Sequence, residues 1–172
     1  MAISLKGRNF FALEDFTPEE IRYLLDLAIR LKKESREHIR HQDYIGEDFL
    51  LLFEMNSTRT RCAFETSAND LGMGTTFLSN SHFGNTETIK DSMRVFSEMY
   101  SAIGYRGAKH STLLEMAKDS TIPIINGYTD HQHPTQMLAD AMTLDEVWGR
   151  ENYKGKTLCF IGRGGAVNSF SY

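Results

Sequence analysis

Phe49-Leu50-Leu51-Leu52-Phe53-Glu54-Met55-Asn56-Ser57-Thr58-Arg59-Thr60-Arg61 runs from an unbroken apolar stretch into a cluster of hydroxyls and guanidinium groups. A helix-like apolar pattern follows over 62–71. Two hydroxyls and an arginine, Thr58, Thr60 and Arg59, therefore stand where a strand ends and a helix begins. Unpaired backbone N–H groups and the positive end of a helix dipole collect at that point and favour an anion. Serine and threonine add neutral donors, and arginine adds a planar fork matched to phosphate oxygens. The stretch implies a cradle for a small, doubly charged oxyanion.

The same strand-to-helix alternation continues outward. Strand-like runs fall at 48–54, 75–79, 102–105, 122–126 and 157–161, and helix-like runs at 60–71, 88–100, 112–118 and 135–148. Nearly continuous apolar strands alternating with helices imply an α/β fold, a parallel sheet covered on both faces. Such sheets bind ligands at the carboxyl ends of their strands. Upstream, Thr17-Pro18-Glu19-Glu20 opens a further helix as a capping box, and Ile21, Leu24, Leu25, Ala28 and Leu31 follow at helical spacing. The polar stretch 32–42 reads as its tail and a solvated connection. In the helix at 88–100, Ile89, Met93, Phe96 and Tyr100 make one apolar face; at 135–148, Met137, Leu138, Ala141, Leu144 and Trp148 do the same, with Gly149 as C-cap. The methionines read as core.

At 172 residues the chain is long enough for one domain with a real core, and 41% hydrophobic with 24% charged residues is the globular range. A net charge of −4 argues against general nucleic-acid binding, which calls for a basic surface. The two cysteines, Cys62 and Cys159, lie far apart in apolar contexts and read as buried fillers of a reduced, cytoplasmic protein. No cysteine or histidine spacing matches zinc. No secretory signal and no apolar run of membrane-spanning length is present.

A second constellation, His133-Pro134-Thr135-Gln136, opens the helix at 135–148 after the apolar Ile122-Pro123-Ile124-Ile125 run. A third, Tyr105-Arg106-Gly107, directly follows the strand-like 102–105. All three fall at one end of the expected sheet. Taken singly, each has a structural reading: a helix cap with a surface arginine, a surface ion pair for Arg106, a capping histidine for His133. Their joint occurrence at three strand ends favours a site. Arg61 reads as structural, paired with a carboxylate, and His38, His41, His110 and His131 as solvated or locally bonded.

Together these residues resemble the aspartate/ornithine carbamoyltransferase family, on its ornithine carbamoyltransferase branch. The resemblance runs from Leu5-Lys6-Gly7-Arg8 to about Asn168-Ser169. Ser57-Thr58-Arg59-Thr60-Arg61 and His133-Pro134-Thr135-Gln136 carry it as a pair, and Tyr105-Arg106-Gly107 with Met137-Leu138-Ala139-Asp140 points to the ornithine branch. It implies a three-layer α/β domain over 1–150 that binds carbamoyl phosphate, with 151–172 opening an amino-acid-binding domain. It also implies a transferase of arginine metabolism that passes the carbamoyl group to the side-chain amine of ornithine. Ser57, Thr58, Arg59 and Thr60 would hold the phosphate, while Arg106 and His133, with Thr60, would donate to the carbonyl oxygen. Arg59, Arg106 and His133 are then the catalytic residues. Gln136 would accept from the carbamoyl NH2, and Thr135 completes the binding set. No metal, cofactor or covalent enzyme intermediate is implied.

The chain also departs from the family pattern. Ser81-His82-Phe83-Gly84-Asn85-Thr86-Glu87-Thr88 aligns with a loop that usually reads Ser-Gln-x-Gly-His-Lys-Glu-Ser and whose glutamine reaches the carbamoyl phosphate of a neighbouring subunit in a trimer. His82 holds the glutamine position and Thr86 the lysine position, which should weaken anion binding. The family's acidic turn appears as Gly162-Arg163-Gly164-Gly165-Ala166-Val167, and Gly162-Arg163-Gly164-Gly165 lacks the spacing of a dinucleotide loop. The motifs of the family's amino-acid-binding half have no counterpart here, so the chain by itself is expected to be inactive. Two further readings stay open: a stand-alone anion-binding or assembly protein, and a carbamoyltransferase for another amine.

Overall fold

The computed structural model describes residues 3–159 and 161. Four strands, β1 (Asp48–Phe53), β2 (Gly74–Leu78), β3 (Ala102–Arg106) and β4 (Ile124–Asn126), form one sheet in the order β2-β1-β3-β4, with every neighbouring pair parallel. Among the described residues five α-helices accompany them: α1 (Pro18–Arg36), α2 (Arg59–Asp70), α3 (Ile89–Met99), α4 (His110–Asp119) and α5 (Pro134–Trp148).

Strand β1 shows why its sequence is apolar throughout. Leu50 and Leu52 face one core with Ile103 and Tyr105 of β3, Ile124 of β4, Met93 of α3, and Leu113 and Met116 of α4. Phe49, Leu51 and Phe53 face the opposite core with Phe64 and Ala68 of α2 and Phe77 of β2. Alternate side chains thus enter different cores, and both faces of the strand are buried. Gly104 faces the α2 side. A Cβ there would lie 3.0 Å from both Leu51 Cδ2 and Phe49 Cζ, so the bare backbone makes room for those side chains.

The order of the strands positions the ligand end. From β1 the chain crosses by α2 to β2 on one side, then returns by α3 to β3 on the other side of β1. Because parallel crossovers keep one hand, reversing direction moves the covering helix to the opposite face. The reversal leaves a crevice beyond the carboxyl ends of β1 and β3, where the two following segments diverge.

The outer edge of β4 is covered by the N-terminal segment. Phe10 donates to Ile124 O at 2.9 Å and accepts from Asn126 N at 2.9 Å, while Asn9 Oδ1 caps Ile124 N at 2.9 Å. An edge that would otherwise offer unpaired groups is closed this way. Strand β4 is shorter than the apolar run at 122–126 because Pro123 has no N–H to give.

Helix α1 begins as its sequence dictates: Glu20 N donates to Thr17 Oγ1 at 3.3 Å and Thr17 N to Glu20 Oε2 at 2.9 Å. It packs on α5, with Lys32 Nζ 2.6 Å from Glu146 and Arg150 2.7 Å from Asp26. Gly149 is the C-cap of α5 and takes φ +79° with ψ 134°, a positive-φ conformation open to a residue without a Cβ.

Several expectations need correction. The region at 157–161 forms no strand among its described residues, which are exposed; the glycine-rich turn at 162–167 lies outside the described residues. Both cysteines are exposed. Cys62 stands two residues before Phe64, about 200° around α2 from the buried stripe. The methionines divide: Met93 and Met116 are fully buried, whereas Met99 sits with Val95 on the outer face of α3 and Met55 follows β1 into a loop. Of the histidines read as solvated or locally bonded, His41 has a local partner, whereas His110 and His131 bond to distant ones. His131 pairs with Glu14 across the fold at 2.8 Å, His110 Nδ1 lies 3.0 Å from Thr129 Oγ1, and His41 pairs with Glu34 at 2.8 Å. Periodicity carries no information about such distant partners. Helix α4 also starts earlier than the 112–118 pattern, because Asp130 Oδ1 accepts from His110 N at 2.7 Å and extends the first turn.

Candidate functional site

A cavity of about 680 Å³ opens at the β1/β3 crevice. It is lined from three directions: by Ser57, Thr58, Arg59 and Thr60 at the start of α2, by Arg106 at the end of β3, and by His133, Thr135 and Gln136 at the start of α5. Eight of the nine sequence-predicted binding residues are brought together there. His82 is not; it is exposed on the loop between β2 and α3, away from the cavity of its own chain.

Thr58 is the N-cap of α2 and makes no side-chain capping bond. Its carbonyl accepts from Cys62 N at 3.0 Å, which opens the helical ladder. The N–H groups of the first turn precede that ladder and face the crevice end of the helix. Arg59 follows at once, so dipole, amides and a cation act on the same volume. Arg61 points elsewhere, as its structural reading required: its Nε donates to Glu65 at 3.0 Å and its guanidinium lies 3.6 Å from the Phe77 ring centre.

Close approach of α2 to β4 depends on Gly127. A Cβ there would stand 2.9 Å from Phe64 Cε2 and 3.3 Å from Thr60 Cγ2. The carbonyl of Gly127 accepts from Arg106 Nη1 at 2.9 Å, and the same nitrogen is 3.4 Å from Thr60 Oγ1. Arg106 Nε is buried with no hydrogen-bond partner among the described residues. A buried, charged donor of that kind is costly unless a ligand meets it. Burial lowers the Arg106 pKa from its ordinary value, Tyr128 opposes this, and nearby Arg59 adds to it.

His133 is the N-cap of α5, with Nδ1 3.2 Å from Thr135 Oγ1. Burial, then the charge of Arg106, pushes its pKa down to about 4 against a weaker opposing pull from Asp140. The imidazole is therefore neutral at pH 7. In the tautomer whose Nδ1 accepts from the threonine hydroxyl, the ring proton lies on Nε2, a neutral donor. Gln136 Nε2 donates to Asp140 at 2.9 Å, which commits the amide's donor end and leaves Oε1 as the acceptor.

Sequence reasoning missed six lining residues, Asn56, Ala63, Phe64, Ser67, Ala139 and Tyr128, and Tyr128 is the one that touches both Arg106 and His133. Its ring lies 4.6 Å from the Arg106 guanidinium and meets the His133 ring edge-on at 5.7 Å. Its backbone adopts φ +149°, uncommon for a residue with a side chain. The available signal was its place, two residues beyond Asn126 at the carboxyl end of a strand. Asn126 is fully buried and organises the turn: Nδ2 donates to Phe11 O at 2.8 Å and Gln132 O at 3.0 Å, and Oδ1 accepts from Tyr128 N at 2.9 Å.

The parallel sheet, the crevice at its point of reversal, and helix N-termini converging there place this chain among α/β domains that receive anionic ligands at strand ends. It belongs to the aspartate/ornithine carbamoyltransferase family: residues 8–146 match the model of that family's carbamoyl-P binding domain. Among its relatives, the ornithine carbamoyltransferase of Caldanaerobacter subterraneus subsp. tengcongensis is 46% identical over 166 residues, covering 95% of this chain and 52% of the relative. The catabolic ornithine carbamoyltransferase of Clostridium perfringens is 51% identical over 146 residues, covering 85% of this chain and 44% of the relative. The solved ornithine carbamoyltransferase of Pyrococcus furiosus superposes with a TM-score of 0.82 at 37% identity, over 84% of this chain and 47% of that one. The chain thus spans about half the length of the curated relatives it matches. No helix among the described residues is long and apolar enough to cross a membrane.

Proposed function

We propose that residues 1–150 bind carbamoyl phosphate in the crevice, and that the whole protein transfers its carbamoyl group to the side-chain amine of ornithine, giving citrulline and phosphate. The observation that carries this reading is the convergence of the α2 N-terminus, Arg59, Arg106 and His133 on one cavity. Ser57, Thr58, Arg59 and Thr60 hold the phosphate by hydroxyls, amides and a guanidinium fork. Arg106, His133 and Thr60 donate to the carbonyl oxygen, and Gln136 Oε1 accepts from the carbamoyl NH2.

The roles follow from where charge moves. As the amine bonds to the carbonyl carbon, negative charge builds on the carbonyl oxygen, and donors set in advance stabilise that tetrahedral state. Losing one such donor typically costs roughly 3–4 kcal/mol of barrier. A neutral His133 can donate without holding the oxyanion as a permanent ion pair. The carbon–oxygen bond to phosphate then breaks as the proton lost by the attacking amine passes to the departing phosphate oxygen, and Arg59 stabilises the hydrogen-phosphate dianion so formed. The sequence resemblance supports the finer assignments: a cytoplasmic enzyme of arginine metabolism, assembled as a trimer, in which the exposed His82 reaches the carbamoyl phosphate of a neighbouring subunit.

Calorimetric titration of the chain with carbamoyl phosphate tests the phosphate cradle. Binding should be saturable and fall roughly thirtyfold in Arg59→Ala, the equivalent of about 2 kcal/mol for charged hydrogen bonds. No binding, or binding indifferent to that substitution, would contradict the assignment.

A further inference from the structure

We infer that Tyr128 is a positioning residue for the carbonyl end of the site, its ring holding the Arg106 guanidinium and the His133 imidazole so that both can donate to one oxygen. The inference rests on the carbamoyl phosphate reading and deepens it.

Arg106 is anchored at one nitrogen. Nη1 donates to Gly127 O at 2.9 Å and reaches Thr60 at 3.4 Å, whereas Nε is buried without a partner among the described residues. One anchored nitrogen leaves the plane of the guanidinium free to swing. The Tyr128 ring, 4.6 Å from Arg106 Cζ, restricts that swing and offers its electron-rich face to a partly buried cation. The same ring meets His133 at 90° and 5.7 Å, so one side chain sets both donors on the cavity wall.

The ring is itself held firmly. Tyr128 N donates to Asn126 Oδ1 at 2.9 Å, and Tyr128 O accepts at 3.1 Å from Gly107 N, the residue after Arg106. These two bonds clamp a backbone at φ +149°, a conformation that persists only when its surroundings impose it. A Cβ on Gly107 would run into the Tyr105 hydroxyl and Glu54 Oε2, so a side chain here would displace both. The strained turn and the end of β3 are therefore one unit, and its product is the placement of an aromatic face over Arg106.

The phosphate cradle on α2 lies outside that unit, which makes a split readout possible. The 172-residue chain and its Tyr128→Leu and Tyr128→Phe variants are titrated calorimetrically with carbamoyl phosphate and, separately, with inorganic phosphate. Tyr128→Leu should weaken carbamoyl phosphate roughly tenfold while inorganic phosphate stays within about twofold of wild type. Tyr128→Phe, which keeps the ring, should stay within about threefold for both ligands. Unchanged carbamoyl phosphate binding in Tyr128→Leu overturns the inference. So does a parallel loss of both ligands, which marks a merely structural role, or a Tyr128→Phe variant as weak as Tyr128→Leu. If wild type binds neither ligand, the carbamoyl phosphate reading fails first and takes this inference with it.

Discussion

The environment of His133 makes the protein's stability depend on pH in a predictable direction. An unfolded imidazole titrates near 6.5, whereas burial and Arg106 hold the folded one at about 4. Below pH 6.5 the unfolded chain therefore binds a proton that the folded chain refuses. Stability contributed by the neutral ring is fully present above that value and declines as pH falls through the window from about 6.5 to about 4. At pH 5 the two titrations differ by roughly 2 kcal/mol, and partial solvent screening of the ring brings the expected loss to about 1–2 kcal/mol. Urea denaturation at pH 7 and pH 5, on wild type and on His133→Gln, isolates this contribution because the other titrating groups are common to both proteins. Wild type should lose about 1–2 kcal/mol more between the two pH values than the variant does. An equal loss in both would refute the claim that His133 is kept neutral by its surroundings.

Other perturbations separate the parts of the scaffold. Gly127→Ala places a methyl 2.9 Å from Phe64 Cε2 and 3.2 Å from the Tyr105 carbonyl, so it should lower stability by about 1–3 kcal/mol and weaken carbamoyl phosphate binding, read by denaturation and calorimetry. Asn126→Ala removes the donor to Phe11 O and the acceptor of Tyr128 N, while Gln132 O keeps Thr129 N at 3.1 Å; it should cost roughly 2–3 kcal/mol, with hydrogen exchange rising in the turn before α5. Thr17→Ala removes only the α1 cap; about 1 kcal/mol of stability should go, with ligand affinity unchanged.

What the sequence made legible follows from the range of the forces involved. The unbroken apolar run of β1 implied a strand covered on both faces, and Leu50 and Phe49 indeed enter opposite cores. The capping box at Thr17 and the glycine cap at 149 are local hydrogen-bond and backbone effects, and both form as read. The three segments of the site were legible because each lies at a strand end, where topology and not side-chain packing decides the neighbourhood. Tyr128 was not legible. Its role depends on a ring crossing from one strand end to a guanidinium on the next, and on a backbone conformation imposed by Asn126. The N-terminal segment that edges β4 was missed for the same reason: Asn9 and Phe10 bond to residues more than a hundred positions away. Cys62 misled because its neighbours are apolar while its own angular position on α2 is outward.

Nuclear magnetic resonance tests the central claim most directly, through the backbone amides of Thr58, Arg59 and Thr60 together with the buried Nε–H of Arg106. Titrating carbamoyl phosphate into isotopically labelled chain should shift all four signals along one saturation curve, since the phosphate meets the helix N-terminus while the carbonyl meets Arg106. Shifts that leave these signals untouched, or that gather elsewhere, such as around His110, Asp130 and His131, would contradict it.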